Sequence, residues 1–207
     1  MITWLGLTPI ATHYLETTSS INMQDIDTLI ELIRASRHED ALAMLNASPV
    51  LAKQRTDRSG QLRGATPLHW AAHHNATELC QRLIELGADV NDAAGQWWRT
   101  PLSWGADAGS AEAVELLLKH GADVNQDAIV GTTAFHAVAM GGSSQGKRDP
   151  QAYKRTAEIL IAHGADINRR TEKQRTPLDE AVDNANDSVA EVLRKYGAEI
   201  SNTSSGN

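Results

Sequence analysis

The chain has 207 residues, 41% of them hydrophobic and 22% charged, with a formal net charge of -7. That length holds one ordinary domain or one short array, and the acidic balance argues against nonspecific binding to nucleic acid or to an anionic membrane. The single cysteine, Cys80, excludes an intrachain disulfide framework and fits a reducing compartment. No apolar run reaches the length of a bilayer span, and the opening MITWLGLTPIATHYLE has neither a basic start nor a small-residue cleavage site, so a cytoplasmic location is expected.

Residues 1–23 have no clear periodicity. Trp4, Leu5, Leu7, Ile10 and Tyr14 either fold back onto the first helical unit or belong to a disordered leader. A helical pattern starts at Asp25, with Asp25 or Asp27 as its N-cap and Ile26, Leu29, Ile30 and Ile33 as one apolar stripe. A second short helix over Glu39–Asn46 carries Ala41, Leu42 and Leu45. Pro49, Val50 and Leu51 come next, then a polar connection from Lys53 to Gly60. Two antiparallel helices and a loop at this place suit a terminal unit that covers the next one (24–60).

Four similar stretches occupy the rest of the chain. GATPLHWAAHHNATELCQRLIELGADVN (Gly64–Asn91) returns as RTPLSWGADAGSAEAVELLLKHGADVN (Arg99–Asn125). It returns split as GTTAFHAVAM (Gly131–Met140) with AEILIAHGADIN (Ala157–Asn168), and again as RTPLDEAVDNANDSVAEVLRKYGAEI (Arg175–Ile200). Thr66, Thr100, Thr133 and Thr176 recur after 34, 33 and 43 positions. A period in this range marks a stacked array. In each copy the Thr caps a first helix, and in three of them Pro stands next at the first helical position, where its missing N–H costs nothing. Small pairs (Ala71/Ala72, Gly105/Ala106, Val138/Ala139) keep that helix slim for stacking. A second helix supplies bulk through Leu79, Leu83 and Ile84, Leu116–Leu118 and Ile159–Ile161. Gly87, Gly121, Gly164 and Gly197 end the second helices, where a left-handed residue is wanted.

TPLHWAA (Thr66–Ala72), LLLKHGADVN (Leu116–Asn125) and LIAHGADIN (Leu160–Asn168) resemble the ankyrin repeat. The resemblance covers about residues 24–200. It implies an all-α solenoid of about five helix-turn-helix units with hairpin-like fingers, at 24–60, 61–93, 94–127, 128–170 and 171–200, and a disordered tail at 201–207. It also implies that His69 and His136 stabilise the connections between units; Ser103 and Asp179 stand in their place elsewhere. In the last unit Glu180 and Arg194 replace apolar residues at stacking positions, which suits an end that meets water.

Function is expected where the copies break their own rule. The finger Asp92–Arg99 is one residue longer than its equivalents and contains Trp97, Trp98 and Arg99. In an extended backbone two adjacent tryptophans cannot both face inward, so at least one is an exposed anchor or a stiffener of the neighbouring finger. Ile129 and Val130 stand at the next fingertip, where polar residues are usual, and extend an apolar stripe or cover each other's backbone. Ten residues are inserted near 141–151, read as a surface loop in preference to a second recognition element. Flanking candidates for the partner surface are Arg63, His73, His74, Asp107, Met140, Lys173 and Arg175.

No catalytic fingerprint, cofactor motif or spaced metal-ligand set is present. His73 and His74 are adjacent on a helix and expected to point apart, and Cys80 among leucines reads as core. The resulting expectation is a monomeric, non-enzymatic module, without cofactor or metal, that binds a protein partner through its fingers and inner helices, as a regulator or inhibitor. The alternatives are a self-associating module using the Trp finger, or an enzyme with a site near the insertion.

Overall fold

The computed structural model describes residues 26–56, 64–94, 97–141 and 149–201. The leader, Arg63, residues 202–207 and most of the insertion lie outside the described residues. Among those described there are ten α-helices: α1 (Ile26–Arg34), α2 (His38–Ala47), α3 (Pro67–His73), α4 (Thr77–Glu85), α5 (Pro101–Ala108), α6 (Ala111–Lys119), α7 (Ala134–Met140), α8 (Pro150–Ala162), α9 (Pro177–Asp183) and α10 (Asp187–Lys195). Single 3-10 turns cover Pro49–Lys53 and Ile129–Gly131. The odd-numbered helices stack in one row and the even-numbered helices in a second, each pair joined by a short turn. The fold is an all-α solenoid.

The local chemistry explains the starts and stops. Pro67, Pro101 and Pro177 open α3, α5 and α9. Thr100 Oγ1 accepts from the Ser103 N–H at 3.2 Å, Thr133 Oγ1 from Phe135 at 3.3 Å and Thr176 Oγ1 from Asp179 at 3.3 Å. Thr66 and Thr133 also bring their hydroxyls to the histidine three residues on, 2.9 Å from His69 Nδ1 and 3.1 Å from His136 Nδ1. At the other end of each pair Gly87, Gly121, Gly164 and Gly197 all adopt positive φ between 81° and 87°. The first helices approach closely because their facing residues are small. A Cβ on Gly105 would sit 3.2 Å from Val114 Cγ2 and 3.4 Å from the Ala72 carbonyl. The core is one continuous cluster that runs from Leu29 and Ile33 through Leu68, Leu83, Leu102, Leu117, Phe135 and Leu160 to Leu193, all buried.

Hydrogen bonds carry the register from one unit to the next. The Asn91 side chain donates to the Gly121 carbonyl at 3.2 Å and accepts from the Asp123 N–H at 2.8 Å. Asn125 does the same to Gly164 and Asp166, and Asn168 accepts from Glu199. A second bridge starts at the imidazoles. His69 Nδ1 accepts from the Thr66 N–H at 3.2 Å, which leaves the proton on Nε2, and Nε2–H donates to the Arg99 carbonyl at 3.1 Å. His136 repeats this with Thr133 and, at 3.4 Å, the Arg175 carbonyl. In the last unit Asp179 takes the histidine's place. Its carboxylate accepts from the Thr176 N–H at 2.7 Å and from the Ser201 N–H at 3.1 Å. Ser201, assigned to a disordered tail by its polar neighbours, is therefore buried and held to the array.

The end of the insertion is helical. Pro150 and Gln151 begin α8, which has 13 residues where α4, α6 and α10 have 9. Asp149 caps it by accepting from the Gln151 N–H at 3.0 Å. The extra turn places Tyr153 in a buried position, where its hydroxyl donates to the Asp107 carbonyl at 2.9 Å and its ring lies against Gly109. The last inserted residues, Pro150 and Gln151, thus lengthen a helix whose Tyr153 docks on the unit before, while residues 142–148 lie outside the described residues.

Burial lowers the His69 pKa to about 3, and burial also lowers that of His136. Both imidazoles therefore bind protons more readily in the unfolded chain, so stability is complete above the unfolded pKa near 6.5 and is lost as pH falls toward 3. Denaturant titrations of wild type between pH 7 and pH 4 are expected to show this loss. In His69→Gln the slope shrinks by roughly 1 kcal/mol per pH unit; parallel profiles would remove His69 as the titrating group. Tyr153→Phe is expected to lower unfolding stability by about 1 kcal/mol through loss of one hydrogen bond, read as a lower denaturant midpoint with an unchanged slope.

Candidate protein-interaction surface

Four fingers project between the helix pairs, each closed by its own backbone. The Thr56 N–H donates to the Ala65 carbonyl, Ala94 and Arg99 exchange both bonds at 3.0 Å, Ala128 donates to Thr132 and Thr171 to Arg175. Three of them are also bonded to each other. The Ile129 N–H donates to the Trp97 carbonyl and the Glu172 N–H to the Val130 carbonyl, both at 3.0 Å. The fingertips of the second, third and fourth fingers therefore form one connected edge.

The side chains on that edge change character along its length. Trp97, Trp98 and Ile129 are exposed by 44%, 62% and 38%, whereas Val130 is half-buried. Both tryptophans reach solvent because the backbone between them is not extended. Trp98 has φ 51° and sits two residues before the capping Thr, where the other fingers have Gly64, Gly131 and Gln174, also at positive φ. A bulky side chain in this region costs about 1–2 kcal/mol. Val130, a β-branched residue at φ 62°, adds a second outlier. The fourth finger carries Glu172, Lys173 and Gln174, all exposed.

Below the fingers the inner helices carry two equivalent ion pairs. Arg99 reaches along α5, donating to the Ser103 carbonyl at 3.1 Å and lying 3.5 Å from the Asp107 carboxylate. Arg175 reaches along α9 to Glu180 and Asp183, each at 2.6 Å. These hydrogen bonds, with Glu180 first, raise the Arg175 pKa. In both units Arg precedes Thr-Pro-Leu and Asp stands eight positions later, a signal that a search for whole-repeat irregularities passes over. Met140 occupies the Asp position in the unit 128–170 and His73 in the unit 61–93.

The two histidines do not point apart. Helix α3 ends at His73, so His74 is its C-cap residue, and the rings meet edge to face with centroids 5.2 Å apart. His74 stacks on Trp70 at 6.4 Å, His73 contacts Trp104 at 6.2 Å, and Arg34 lies over the Trp70 ring at 5.4 Å. Both rings are half-buried and have lowered pKa values, with desolvation as the largest cause. Cys80 is fully buried and burial pushes its thiol up to about 12, which makes it a poor nucleophile at neutral pH. Among the described residues no group of three or more His, Cys, Asp or Glu is placed to hold a metal ion, and no helix is long and apolar enough to cross a membrane.

Stacked helix pairs with hydrogen-bonded fingers define a repeat solenoid, a class whose members present an extended surface. Residues 32–128 match the family model for ankyrin repeats, in three copies, and the same helix pairs continue to the end of α10. Residues 32–128 are thus ankyrin repeats, which are protein-interaction modules without catalytic groups of their own, and the described array as a whole has the all-α repeat-solenoid fold. It is similar to a palmitoyltransferase AKR1 of Gibberella zeae, 33% identical over 68 residues, which are 30% of this chain and 9% of that one. Similar matches are to palmitoyltransferases akr1 of Neurospora crassa, 30% identical over 66 residues, and Emericella nidulans, 46% identical over 44 residues. The matches span 9% of the first two relatives and 6% of the third.

Proposed function

We propose that the array, extending over residues 24–200, binds a protein partner along the connected fingertips and the inner-helix face below them. Trp97, Trp98 and Ile129 are the anchors, and Arg99, Asp107, Met140 and Arg175 are their flanks. Bound there, the module acts as a regulator that covers part of its partner. Its work is recognition rather than catalysis, and it acts as a monomer. The observation that carries this reading is Trp98. Its side chain is the most exposed of the described tryptophans and occupies a left-handed position that glycine fills at Gly64 and Gly131. Two local costs at one residue mark a site maintained for something other than stability. A rigid edge with exposed aromatic anchors also loses little entropy on binding.

Trp98→Gly separates recognition from folding. Its denaturant midpoint is expected to equal or exceed that of wild type, by up to about 1 kcal/mol, because strain is relieved. Proteins that co-precipitate with wild type from cells expressing the chain are expected to be lost. Retention of the same partners at the same strength overturns the fingertip reading. Light scattering on the same samples checks the monomer, since an array that self-associates through this finger changes mass in Trp98→Gly.

A further inference from the structure

The partner's own chemistry follows from how charge is distributed along the connected edge. The chain as a whole is acidic at -7, yet residues 169–175 read Arg-Arg-Thr-Glu-Lys-Gln-Arg. Two of these cations are already neutralised: Arg169 pairs with Asp127, and Arg175 pairs with Glu180 and Asp183. The other two are not. Arg170 donates to the Gln174 carbonyl at 3.3 Å, and neither it nor the exposed Lys173 has a carboxylate partner among the described residues. Glu172 between them is the only anion on that tip. Moving back along the edge, Ile129 and then Trp98 and Trp97 present exposed apolar surface. The edge therefore has an apolar end and a locally cationic end, on a molecule whose overall field is negative.

The stacking of the units sets the distance. Each finger belongs to a unit whose first helix packs on the next one, and packed helices lie about 8–10 Å apart, so the fingers repeat about every 10 Å. Trp98 and Lys173 belong to the second and fourth fingers, two repeats apart and hence separated by about 20 Å, which an extended chain covers in about six residues.

We infer that the surface takes an extended acidic peptide segment, with one aromatic or large aliphatic residue seated on Trp97, Trp98 and Ile129 and carboxylates about six residues away against Arg170 and Lys173. The inference rests on the fingertip reading above and sharpens it. Long-range repulsion from the acidic chain makes a uniformly acidic partner a poor ligand, so the apolar anchor is required and the carboxylates set register and specificity. A basic segment would leave the apolar end without electrostatic support and meet Arg170 and Lys173 at its other end.

Twelve-residue fluorescent peptides test this against the full chain by anisotropy, in both chain directions. One carries Leu with two Glu six residues away, a second has the Glu replaced by Gln, a third has them two residues away, and a fourth carries Lys instead. Anionic phospholipid vesicles serve as a separate probe. The first peptide is expected to bind best, to weaken about tenfold with Arg170→Glu/Lys173→Glu and with added salt, and to be lost in Trp98→Gly. Circular dichroism melts verify that both variants fold. Equal binding of the Gln and Glu peptides, lost only in Trp98→Gly, overturns the acidic partner while leaving the fingertip surface standing. Tighter binding to vesicles than to any peptide, or no binding of the first peptide, overturns the inference outright.

Discussion

The structure depends on the hydrogen bonds that cross from one helix pair to the next. A short helix pair cannot bury its apolar face alone, and stacking is productive only in one register. Asn91 and Asn125 set that register at the helix ends by bonding both a carbonyl and an N–H of the following unit. His69 and His136 set it at the finger bases, where a buried neutral imidazole ties a capping Thr to a carbonyl one unit on. The apolar contacts supply most of the driving force, but they are nondirectional. The polar bridges decide how the units sit.

The same bridges fix the surface. Because His69 holds the Arg99 carbonyl, the finger that ends at Arg99 is anchored at its base, and its tip meets the next finger through Trp97 and Ile129. Regular framework and irregular tips therefore belong to one object: the framework permits exposed tryptophans and left-handed side chains by holding the backbone around them. The array also absorbs an insertion in this way, since Tyr153 turns extra length into an added contact with the unit before.

Much of the fold is legible in the residues. Thr-Pro starts, small pairs on first helices, leucines on second helices and terminal glycines recur with a fixed spacing, and each encodes a local event within a few residues. Less of the site is legible. The unusual content of the fingers at Trp97–Arg99 and Ile129–Val130 stands out against the repeat. Its conformation does not, because the left-handed turn at Trp98 is imposed by a finger closed between Ala94 and Arg99 and bonded to a neighbour some thirty residues away. His73 and His74 mislead for a similar reason: helical geometry predicts divergent rings, but the helix stops between them and Trp70 and Trp104 gather both.

The sequence by itself determined the repeat unit, the number of helix pairs and the positions at which the units depart from one another. These are set by periodic burial and by caps, which act within a single turn or pair. Tertiary structure alone decided that three fingertips join into one edge, that both tryptophans face solvent, that Arg99 and Arg175 fold back onto Asp107 and Asp183, and that Ser201 closes the last unit through Asp179. Most of these depend on groups brought together from distant parts of the chain, or on backbone angles that a neighbouring unit enforces. Local residue preferences carry no information about either.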